Sequence, residues 1–424
     1  MSKAYLILAD GTIFEGKSIG KAEKSIGEVV FTTGMTGYME TLTDPSYFGQ
    51  IVTQTFPLIG NYGVMSPDFE SKKSWVRGYI VRELCDKPSN FRSEGDLDSF
   101  LKAQGIVGLC GIDTRALTKK LREAGVMNGM ILSESGKLKT ENGMLKVDDS
   151  LLEEIRSYKI ENAVENVQSL CMQDGGDFKG RSPLGERVAD RPTKRRESTL
   201  LAGAIRGATW DGSEGETSPI PNKNSKLSTF HFPLSVCLYD FGAKANIQRE
   251  LEKRSCKVTV LPFNTTANQI IKLAPDGIML SNGPGDPAEN KSVIEEIRKL
   301  CEYGKIPIFG ICLGHQMLAL ARGAKTSKLK YGHRGGNHPC KDLENGRVYI
   351  TSQNHGYAVE SASLPPFAKL SFVNENDGTC EGIDYRDIPA FSVQFHPEAC
   401  SGPHDTNFLF DKFISMMEKS NATE

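Results

Sequence analysis

The sequence predicts an α/β protein, in which a mostly parallel sheet with helices on both faces follows a smaller mixed β/α domain. From residue 236 to residue 321, short apolar runs alternate with helical segments, as in a parallel sheet with crossover helices. Before residue 132 the strands are short and separated by glycines and prolines. Between these regions, about 180–230 is rich in Ser, Gly, Pro and basic residues, a composition typical of a flexible insertion. We therefore expect an N-terminal β/α domain at 1–140, a linker at 141–233 and an α/β domain at 234–424.

In the first region, the clearest helix runs from Asp113 to Ala124, because an aspartate is a favourable N-cap. The insertion has two interpretations. It is either a phosphorylation or partner-binding segment near 195–198 or a solvated insertion without a function of its own, and we favour the second.

The pattern of the third region predicts a series of strands and helices. We expect strands at 236–240, 257–262, 277–281 and 306–311, helices at 245–254, 267–272, 292–303 and 314–321, further strands within 347–394, and a closing helix from 408 to about 418. In such sheets ligands bind beyond the carboxyl ends of the parallel strands.

Composition excludes several functional classes. The formal net charge is −2, so no overall basic field argues for nucleic acid, and no apolar run is long enough to span a membrane. The first ten residues do not resemble a secretion signal, so we expect a cytoplasmic protein. Ten cysteines occur without a Cys-x-x-Cys pair, which favours free thiols in a reducing compartment.

The most informative segment is Gly-Ile-Cys-Leu-Gly-His-Gln at 310–316, between a buried strand and a helix. This is the cysteine counterpart of a nucleophile elbow, with Gly310 and Gly314 allowing a sharp turn and close packing. We expect Cys312 to lie exposed at a helix N-terminus, a place that favours the thiolate. The alternative is a buried structural cysteine.

A second segment, Phe-Ser-Val-Gln-Phe-His-Pro-Glu at 391–398, predicts a strand with His396 and Glu398 on one face. A nucleophilic thiol needs a base to accept its proton, and that base needs an orienting group. His396 and Glu398 have the right chemistry, although a lone histidine could be structural.

A third segment, 277–286, is a strand followed by a Gly-Pro-Gly turn. Backbone N–H groups of this turn, together with that of Leu313, could form an oxyanion hole, although alone the turn would be an ordinary loop.

The other histidines do not stand in a comparable catalytic motif. His315 is expected to pack, His333, His338 and His404 to lie in loops, and His355 to be structural, so we predict no metal. No phosphate-binding Gly-x-x-x-x-Gly-Lys motif occurs, so ATP chemistry is not expected in this chain.

These three segments resemble the class I, triad-type glutamine amidotransferases, whose motifs appear here as SNGPGDP at 281–287, GICLGHQ at 310–316 and FHPE at 395–398. The resemblance implies that Cys312 attacks the side-chain amide of glutamine and releases ammonia. It also implies that His396 is the acid and base and that Glu398 orients it.

Residues 28–62, with Thr-Gly-Met-Thr-Gly-Tyr and Thr-Asp-Pro-Ser-Tyr, and Gly-Leu-Cys-Gly-Ile-Asp-Thr-Arg at 108–115 resemble the small-subunit family of carbamoyl-phosphate synthetase, a ligase. The resemblance implies a large-subunit partner that receives the ammonia through a channel and makes carbamoyl phosphate from bicarbonate and ATP, for arginine and pyrimidine synthesis. It implies no cofactor in this chain, with ATP and Mg used by the large subunit.

The same resemblance implies an L-glutamine pocket. Its residues would be Ser46, Gly283, Gly285, Leu313, Gln316, Asn354, Gly356 and Tyr357. Position 357 is a departure, because the family often has Phe there, and its hydroxyl would either face solvent or touch the ligand.

Two rival functions remain open. One is an amidotransferase for another synthase, such as one of anthranilate or guanylate synthesis, against which the N-terminal region argues. The other is a catalytically silent regulatory scaffold, against which the presence of all three triad residues argues.

Overall fold

A computed structural model describes residues 2–133, 138–141, 144–167, 233–399 and 402–422, without the side chains of 138–145. The insertion expected at about 180–230 lies outside the described residues, as do Cys171 and Cys400. The described residues on either side of it belong to one compact unit. The division into domains stays a prediction.

The N-terminal half is built on a barrel that the sequence pattern does not predict. Its strands are β1 (Lys3–Leu8), β2 (Ile13–Gly20), β3 (Lys24–Thr32), β4 (Gln50–Gln54), β5 (Leu58–Ile59), β6 (Gly78–Val81), β7 (Glu83–Leu84), β8 (Val107–Cys110) and β9 (Met127–Leu132). Seven of them close in the order β1-β2-β8-β6-β4-β3-β9, while β5 and β7 form a separate pair. Closure leaves these seven strands without an unpaired edge.

The helices of this half are α1 (Tyr38–Thr43), α2 (Leu97–Ala103) and α3 (Thr114–Ala124), followed by the hairpin β10 (Leu138–Glu141) and β11 (Met144–Val147) and by α4 (Asp149–Ser157) and α5 (Ala163–Asn166). The start of α3 is as predicted, because the Asp113 side chain accepts a hydrogen bond from the Ala116 N–H. Alternate strand residues separate into two buried clusters: Val29 and Phe31 pack with α3, and Val30 packs with α1 and α2.

The C-terminal half has the predicted strand–helix alternation. Its strands are β12 (Ser235–Asp240), β13 (Lys257–Pro262), β14 (Gly277–Leu280), β15 (Ile308–Ile311), β16 (Thr326–Asp342), β17 (Val348–Val359), β18 (Ala368–Asn374), β19 (Cys380–Tyr385) and β20 (Ala390–Val393). Its helices are α6 (Ala245–Lys253), α7 (Ala267–Lys272), α8 (Lys291–Tyr303), α9 (Leu313–Ala321) and α10 (Phe408–Asn421).

The nine strands form one sheet in the order β13-β12-β14-β15-β20-β19-β18-β16-β17. The pairs from β13 to β20 are parallel, and those from β20 to β17 are antiparallel. Helices cover both faces of the parallel part, because alternate residues of β14 point to opposite sides. Ile278 and Leu280 pack with α7, α8 and α9, whereas Met279 packs with α6 and α10.

The two halves are joined by specific polar contacts. The Asn246 side chain donates to Glu70 Oε1 at 2.9 Å, the Thr33 N–H donates to the Arg334 carbonyl, and Lys328 pairs with Glu28 at 2.6 Å. The loop between α1 and β4 lies beside the carboxyl end of β14, because the Asn282 side chain donates to the Ser46 hydroxyl at 3.0 Å. Among the described residues, no helix combines the length and the apolar content that crossing a membrane requires.

Candidate active site

Cys312 stands at the sharp turn between β15 and α9. Its φ of +52° makes it one of four non-glycine residues with a positive φ in the described part of the chain. Such a backbone conformation costs about 1–3 kcal/mol and is often found at functional sites. The turn packs closely on its neighbours, because a Cβ on Gly314 would lie 2.3 Å from the Leu280 carbonyl oxygen. The structure therefore has the strained strand–turn–helix elbow that the sequence predicts.

The expectation that Cys312 is exposed and ionised is wrong for this structure. The residue is only 2% exposed, and burial raises the pKa of its thiol to about 12, although the Lys244 ammonium and the Leu313 N–H oppose that shift. The preference for thiolate at a helix N-terminus is thus outweighed by desolvation. The thiol donates to the Asn354 carbonyl oxygen at 3.6 Å.

His396 and Glu398 form a buried pair. His396 Nδ1 lies 2.7 Å from Glu398 Oε1, and both side chains are fully buried. A carboxylate at this distance holds the proton on Nδ1 and leaves a lone pair on Nε2, for which the described residues provide no hydrogen-bond partner. Burial opposes ionisation of Glu398, but His396 and Lys244 outweigh it and hold the pKa of this carboxyl below its usual value.

The pair is not on a strand, as 391–398 predicts. β20 ends at Val393, and residues 394–398 form a bend and a turn around Pro397. The pairing of β20 with β15 and β19 stops at Val393, so the strand ends before Pro397 is reached. The two side chains meet through the turn rather than through alternation along a strand.

The middle of β17 (Val348–Val359) brings the elbow and this turn together. The His396 N–H donates to the Ser352 carbonyl, and the Cys312 thiol contacts the carbonyl of Asn354, two residues further along the same strand. The Cys312 N–H also donates to Val393 at the end of β20. Thiol, imidazole and carboxylate are thus assembled in one buried region by elements that are distant in sequence.

A buried cation at the centre of this region is absent from the sequence-based set of site residues. Lys244 Nζ lies 3.5 Å from Asp44 Oδ2 and 3.8 Å from Glu398 Oε1, and the Lys244 side chain is 9% exposed. Burial disfavours the ammonium, but Asp44, Glu398 and Glu70 outweigh it, so the pKa of Lys244 lies above its usual value. Lys244 therefore links the barrel half to the triad residues.

The sequence contains a feature that could have identified each of Lys244 and Asp44 as a site residue. Lys244 comes shortly after β12, at the sheet edge where ligands bind, and Asp44 belongs to the Thr-Asp-Pro-Ser-Tyr segment. The Asp44 carboxylate accepts from the Ser46 N–H and from the Asn354 side chain, both at 2.9 Å. Their importance depends on the ion pair between them, which joins residues some 200 positions apart and which a local motif does not reveal.

A cavity of about 540 Å³ opens beside Cys312. Besides Cys312, its lining includes these residues predicted from sequence: Ser46, Gly283, Gly285, Gln316, Asn354, Gly356 and Tyr357. Leu313 does not line it. Instead, its side chain is buried and its N–H lies beside the Cys312 sulfur. The structure therefore gathers the predicted pocket residues around one cavity, with Leu313 contributing backbone.

Three polar side chains of the cavity are already oriented by protein contacts. The Ser46 hydroxyl accepts from the Asn282 side chain at 3.0 Å, and Gln316 Nε2 donates to the Tyr357 carbonyl and to Gln394. Ser46 thus keeps its O–H, and Gln316 its amide oxygen, for a ligand. The Tyr357 hydroxyl lies beside the Asp286 carboxylate; burial and that carboxylate raise its pKa.

The remaining histidines and cysteines can be compared with their predicted positions. His315 packs in the core as expected, with Nδ1 2.8 Å from the Ser392 hydroxyl, and burial lowers its pKa to about 3. His333 and His338 lie on β16, so placing them in loops is wrong, whereas His404 does lie in a loop. His355 lies on β17, and the eight described cysteines are all free thiols.

Comparison with known families agrees with this architecture. A model of the carbamoyl-phosphate synthase small chain, CPSase domain, matches residues 6–131, and a model of class-I glutamine amidotransferase matches residues 237–416.

Three relatives match nearly the whole chain. The carbamoyl phosphate synthase small chain of Listeria monocytogenes serotype 4b (strain F2365) is 45% identical and covers 100% of this chain and 99% of its own. The proteins of the same name from Clostridium perfringens (strain 13 / Type A) and Bacillus caldolyticus are 46% and 44% identical, over 97% and 99% of this chain and 99% and 98% of their own. The chain therefore belongs to the carbamoyl phosphate synthase small chain family, and its C-terminal half is a class-I glutamine amidotransferase domain.

Proposed function

We propose that this chain is the glutaminase subunit of a carbamoyl-phosphate synthase, with Cys312 as nucleophile, His396 as general base and acid, and Glu398 as the group that orients His396. The observation that carries the proposal is the 2.7 Å contact between His396 Nδ1 and Glu398, with Nε2 left unpartnered in the buried region that contains Cys312. A neutral imidazole held in this tautomer is suited to accept the proton of a thiol.

The proposed reaction begins with a thiol rather than a stable thiolate, because burial raises the pKa of Cys312 to about 12. The Cys312 proton passes to His396 Nε2 as sulfur attacks the amide carbon of glutamine. The imidazolium then gives its proton to the amide nitrogen, the C–N bond breaks, and ammonia leaves behind a γ-glutamyl thioester. Water, deprotonated by His396, hydrolyses the thioester to glutamate and restores the thiol.

Two backbone features support an oxyanion hole for this reaction. The Leu313 N–H lies next to the Cys312 sulfur and begins α9, so it carries the positive end of the helix dipole. Gly283 lies next to the Leu313 side chain, since an added Cβ would lie 2.8 Å from Leu313 Cδ2 and 2.3 Å from the Phe241 carbonyl oxygen. We propose that the Gly283–Gly285 turn and Leu313 together receive the developing negative charge.

The cavity is suited to bind free L-glutamine. An amino acid zwitterion requires donors for its carboxylate and acceptors for its ammonium. Ser46 retains a hydroxyl proton and Gln316 retains an amide oxygen, while Asn354, Gly356 and Tyr357 form another part of the lining. We assign the Ser46 hydroxyl to the ligand carboxylate and the Gln316 oxygen to its ammonium group.

A second cavity is suited to be the exit for ammonia. It has a volume of about 320 Å³, and its lining includes Asn354, which it shares with the first cavity, as well as Asp44 and Lys244. It continues past Glu40 to Gly336 and Gly402. We propose that ammonia leaves by this side toward the large subunit, which makes carbamoyl phosphate from bicarbonate and ATP for arginine and pyrimidine synthesis.

Substitution of the nucleophile tests this proposal. In the complex with the large subunit, Cys312→Ser is expected to abolish glutamine-dependent synthesis of carbamoyl phosphate and to retain synthesis from added ammonia. The matched control is Cys301→Ser, which alters another buried thiol, on α8 and outside the cavity. Glutamine-dependent synthesis that survives Cys312→Ser would rule out the assigned nucleophile. Loss of both activities would contradict the division of labour between the subunits.

A further inference from the structure

A buried cluster of possible metal ligands lies on the antiparallel part of the C-terminal sheet. His333 on β16 is paired in register with His355 on β17, and Glu381 on β19 is close to both. One ligand atom from each of these three residues lies within 4.8 Å of the others, and all three residues are buried. The sequence predicts no metal, partly because its pattern places His333 in a loop. In the structure His333 lies on a strand and is paired with His355.

The hydrogen bonds of His355 leave a lone pair facing another acceptor. Its Nδ1 lies 2.7 Å from the Tyr357 carbonyl oxygen, so the proton of a neutral ring belongs on Nδ1. Its Nε2 then carries a lone pair and lies 2.7 Å from Gln353 Oε1, which is also an acceptor. A neutral His355 therefore places two electron-rich atoms at contact distance.

Rotation of the Gln353 amide does not relieve this conflict. In the present orientation, Gln353 Nε2 donates to Glu381 Oε2 at 3.0 Å. Exchange of the amide oxygen and nitrogen would satisfy His355 but would place the amide oxygen against the Glu381 carboxylate. The amide oxygen thus remains directed toward His355.

His333 repeats the same pattern. Its Nε2 lies 2.8 Å from Asp377 Oδ2, which holds a proton on that nitrogen. The lone pair on Nδ1 then faces Gln353 Oε1 at 3.2 Å and Glu381 Oε1 at 3.5 Å. When both rings are neutral, two imidazole nitrogens, one amide oxygen and one carboxylate oxygen therefore converge without a donor among them.

From this convergence we propose a divalent transition-metal site formed by His333 Nδ1, His355 Nε2, Glu381 and Gln353 Oε1. With the Gln353 amide in its present orientation, protons could satisfy both rings only as two buried imidazolium ions, whose ring centroids would be 4.9 Å apart. One cation satisfies all four atoms. Two imidazoles with two oxygens suit zinc or cobalt better than magnesium or calcium, which prefer oxygen ligands.

The outer contacts have the arrangement found around metal-binding histidines. Asp377 accepts from His333 Nε2, and the Tyr357 carbonyl accepts from His355 Nδ1, so each ring donates its second N–H to an oxygen. The Asp377 side chain is 41% exposed, which gives the cluster a route from solvent. Because Asn354, Gly356 and Tyr357 flank His355 on β17, the ion would also brace one wall of the main cavity. Binding of the ion itself does not depend on the proposed glutaminase function.

Metal titration of the full-length chain tests the site. After treatment with a chelator, the chain is expected to bind one Co²⁺, with visible absorption from nitrogen and oxygen ligands, and Zn²⁺ is expected to compete for the same place. Glu381→Gln, which preserves shape and removes the charge, is expected to lose the stoichiometric ion. Asp377→Asn is expected to weaken binding by about 10- to 100-fold, as for other outer partners of metal-bound histidines.

Two controls keep the result interpretable. His404→Gln removes a histidine outside the cluster and is expected to bind Co²⁺ like the unaltered chain. Zn²⁺ is expected to raise the melting temperature of the unaltered chain but not that of Glu381→Gln, since only a folded-state ligand stabilises. If Glu381→Gln fails to fold, the partly exposed Asp377→Asn still gives the answer. The proposal is overturned if the unaltered chain takes up no stoichiometric ion, or if the Asp377→Asn and Glu381→Gln chains both bind the ion as tightly as the unaltered chain.

Discussion

Cys312 combines two unfavourable features in a single residue. Its φ is +52°, and burial raises the pKa of its thiol to about 12. Strain of this kind persists only where surrounding contacts fix the backbone, which here come from the Cys312 N–H to Val393 and the Gly314 N–H to Ser281. A thiol kept protonated until glutamine arrives would react less with other electrophiles than a free thiolate.

Lys244 shows why the charges around the triad act as a group. A buried ion pair gains little net stability, because desolvation offsets its Coulomb attraction. Removing Lys244 alone would leave Asp44 and Glu398 as buried anions without their cation, 3.5 and 3.8 Å from where its ammonium now lies. The residue is therefore better understood as holding the carboxylates ionised than as a source of stability.

Glu40, which lines the second cavity, is expected to make the stability of the folded protein depend on pH. Burial raises the pKa of Glu40 from 4.5 to about 8, and its Oε2 has no hydrogen-bond partner among the described residues. The folded state therefore binds this proton more tightly than the unfolded state. Its contribution to stability falls as pH rises from about 4.5 to about 8, by about 1.4 kcal/mol for each unit of pKa difference at most.

Glu40→Gln removes this titration while preserving the shape of a protonated carboxyl. We expect the variant to melt above the unaltered chain at pH 8, and the difference to vanish near pH 4. Glu153→Gln, on the exposed face of α4, serves as the control and is expected to change the melting temperature little at either pH. A gap that does not grow between pH 4 and pH 8 would contradict a buried, protonated Glu40.

At the scale of elements, the elbow depends on how closely α9 approaches β14. Gly314 has an ordinary negative φ, but a Cβ there would lie 2.3 Å from the Leu280 carbonyl oxygen, which is backbone and cannot rotate away. The need for glycine at this position is thus one of space rather than of backbone conformation. That requirement joins the turn after β15 to the neighbouring strand.

Gly314→Ala is expected to lower the free energy of unfolding by roughly 1–3 kcal/mol, the usual cost of overpacking. Gly336→Ala is the matched control, because a Cβ there meets its nearest atoms at 3.7 Å, an ordinary contact distance. Denaturant unfolding followed by circular dichroism would compare the two variants. Equal stability of both would show that α9 and β14 have room to separate.

Sequence reasoning succeeds where local patterns determine an element. The start of α3 at Asp113 and the alternation from β12 to α9 follow from caps and periodicity within short windows. It fails where distant strands decide the outcome. Closure of the barrel depends on β1 pairing with β9, and the end of β20 at Val393 depends on its neighbours in the sheet.

The same distinction applies to the site. Cys312, His396 and Glu398 stand in recognisable motifs, whereas Lys244 gains its meaning only when folding brings Asp44 and Glu398 beside it. The burial of Cys312 could not be predicted either, because it depends on contacts with Asn354 and Val393, which lie on other strands of the sheet. Local motifs identify the chemistry, and long-range contacts set its electrostatics.

At the scale of the whole molecule, two cavities share Asn354 in their linings, one beside Cys312 and one lined by Gly336 and Gly402. If ammonia leaves through the second cavity, narrowing it must separate glutamine hydrolysis from the use of ammonia. Gly336 is suited to this test, because it tolerates a Cβ and lines only the second of these two cavities.

In the complex with the large subunit, Gly336→Phe is expected to keep hydrolysing glutamine while forming less carbamoyl phosphate for each glutamate released. Gly336→Ala provides a matched control with a side chain too small to obstruct the cavity. The ratio of the two products, measured in one reaction, reports the coupling. An unchanged ratio in the phenylalanine variant would exclude this route for ammonia.

Ser46 and Asp44 come from the barrel half, yet they hydrogen-bond Asn282 and Asn354 in the half that contains the cysteine. The amidotransferase half is therefore not expected to function when it is transferred without the barrel half. Joined to another synthase without the barrel, this segment would retain Cys312, but Asn282, Asn354 and Lys244 would lose their partners from the barrel. Engineers who wish to redirect this ammonia source should move both halves together, and any recombination point between them should spare the seam formed by these contacts.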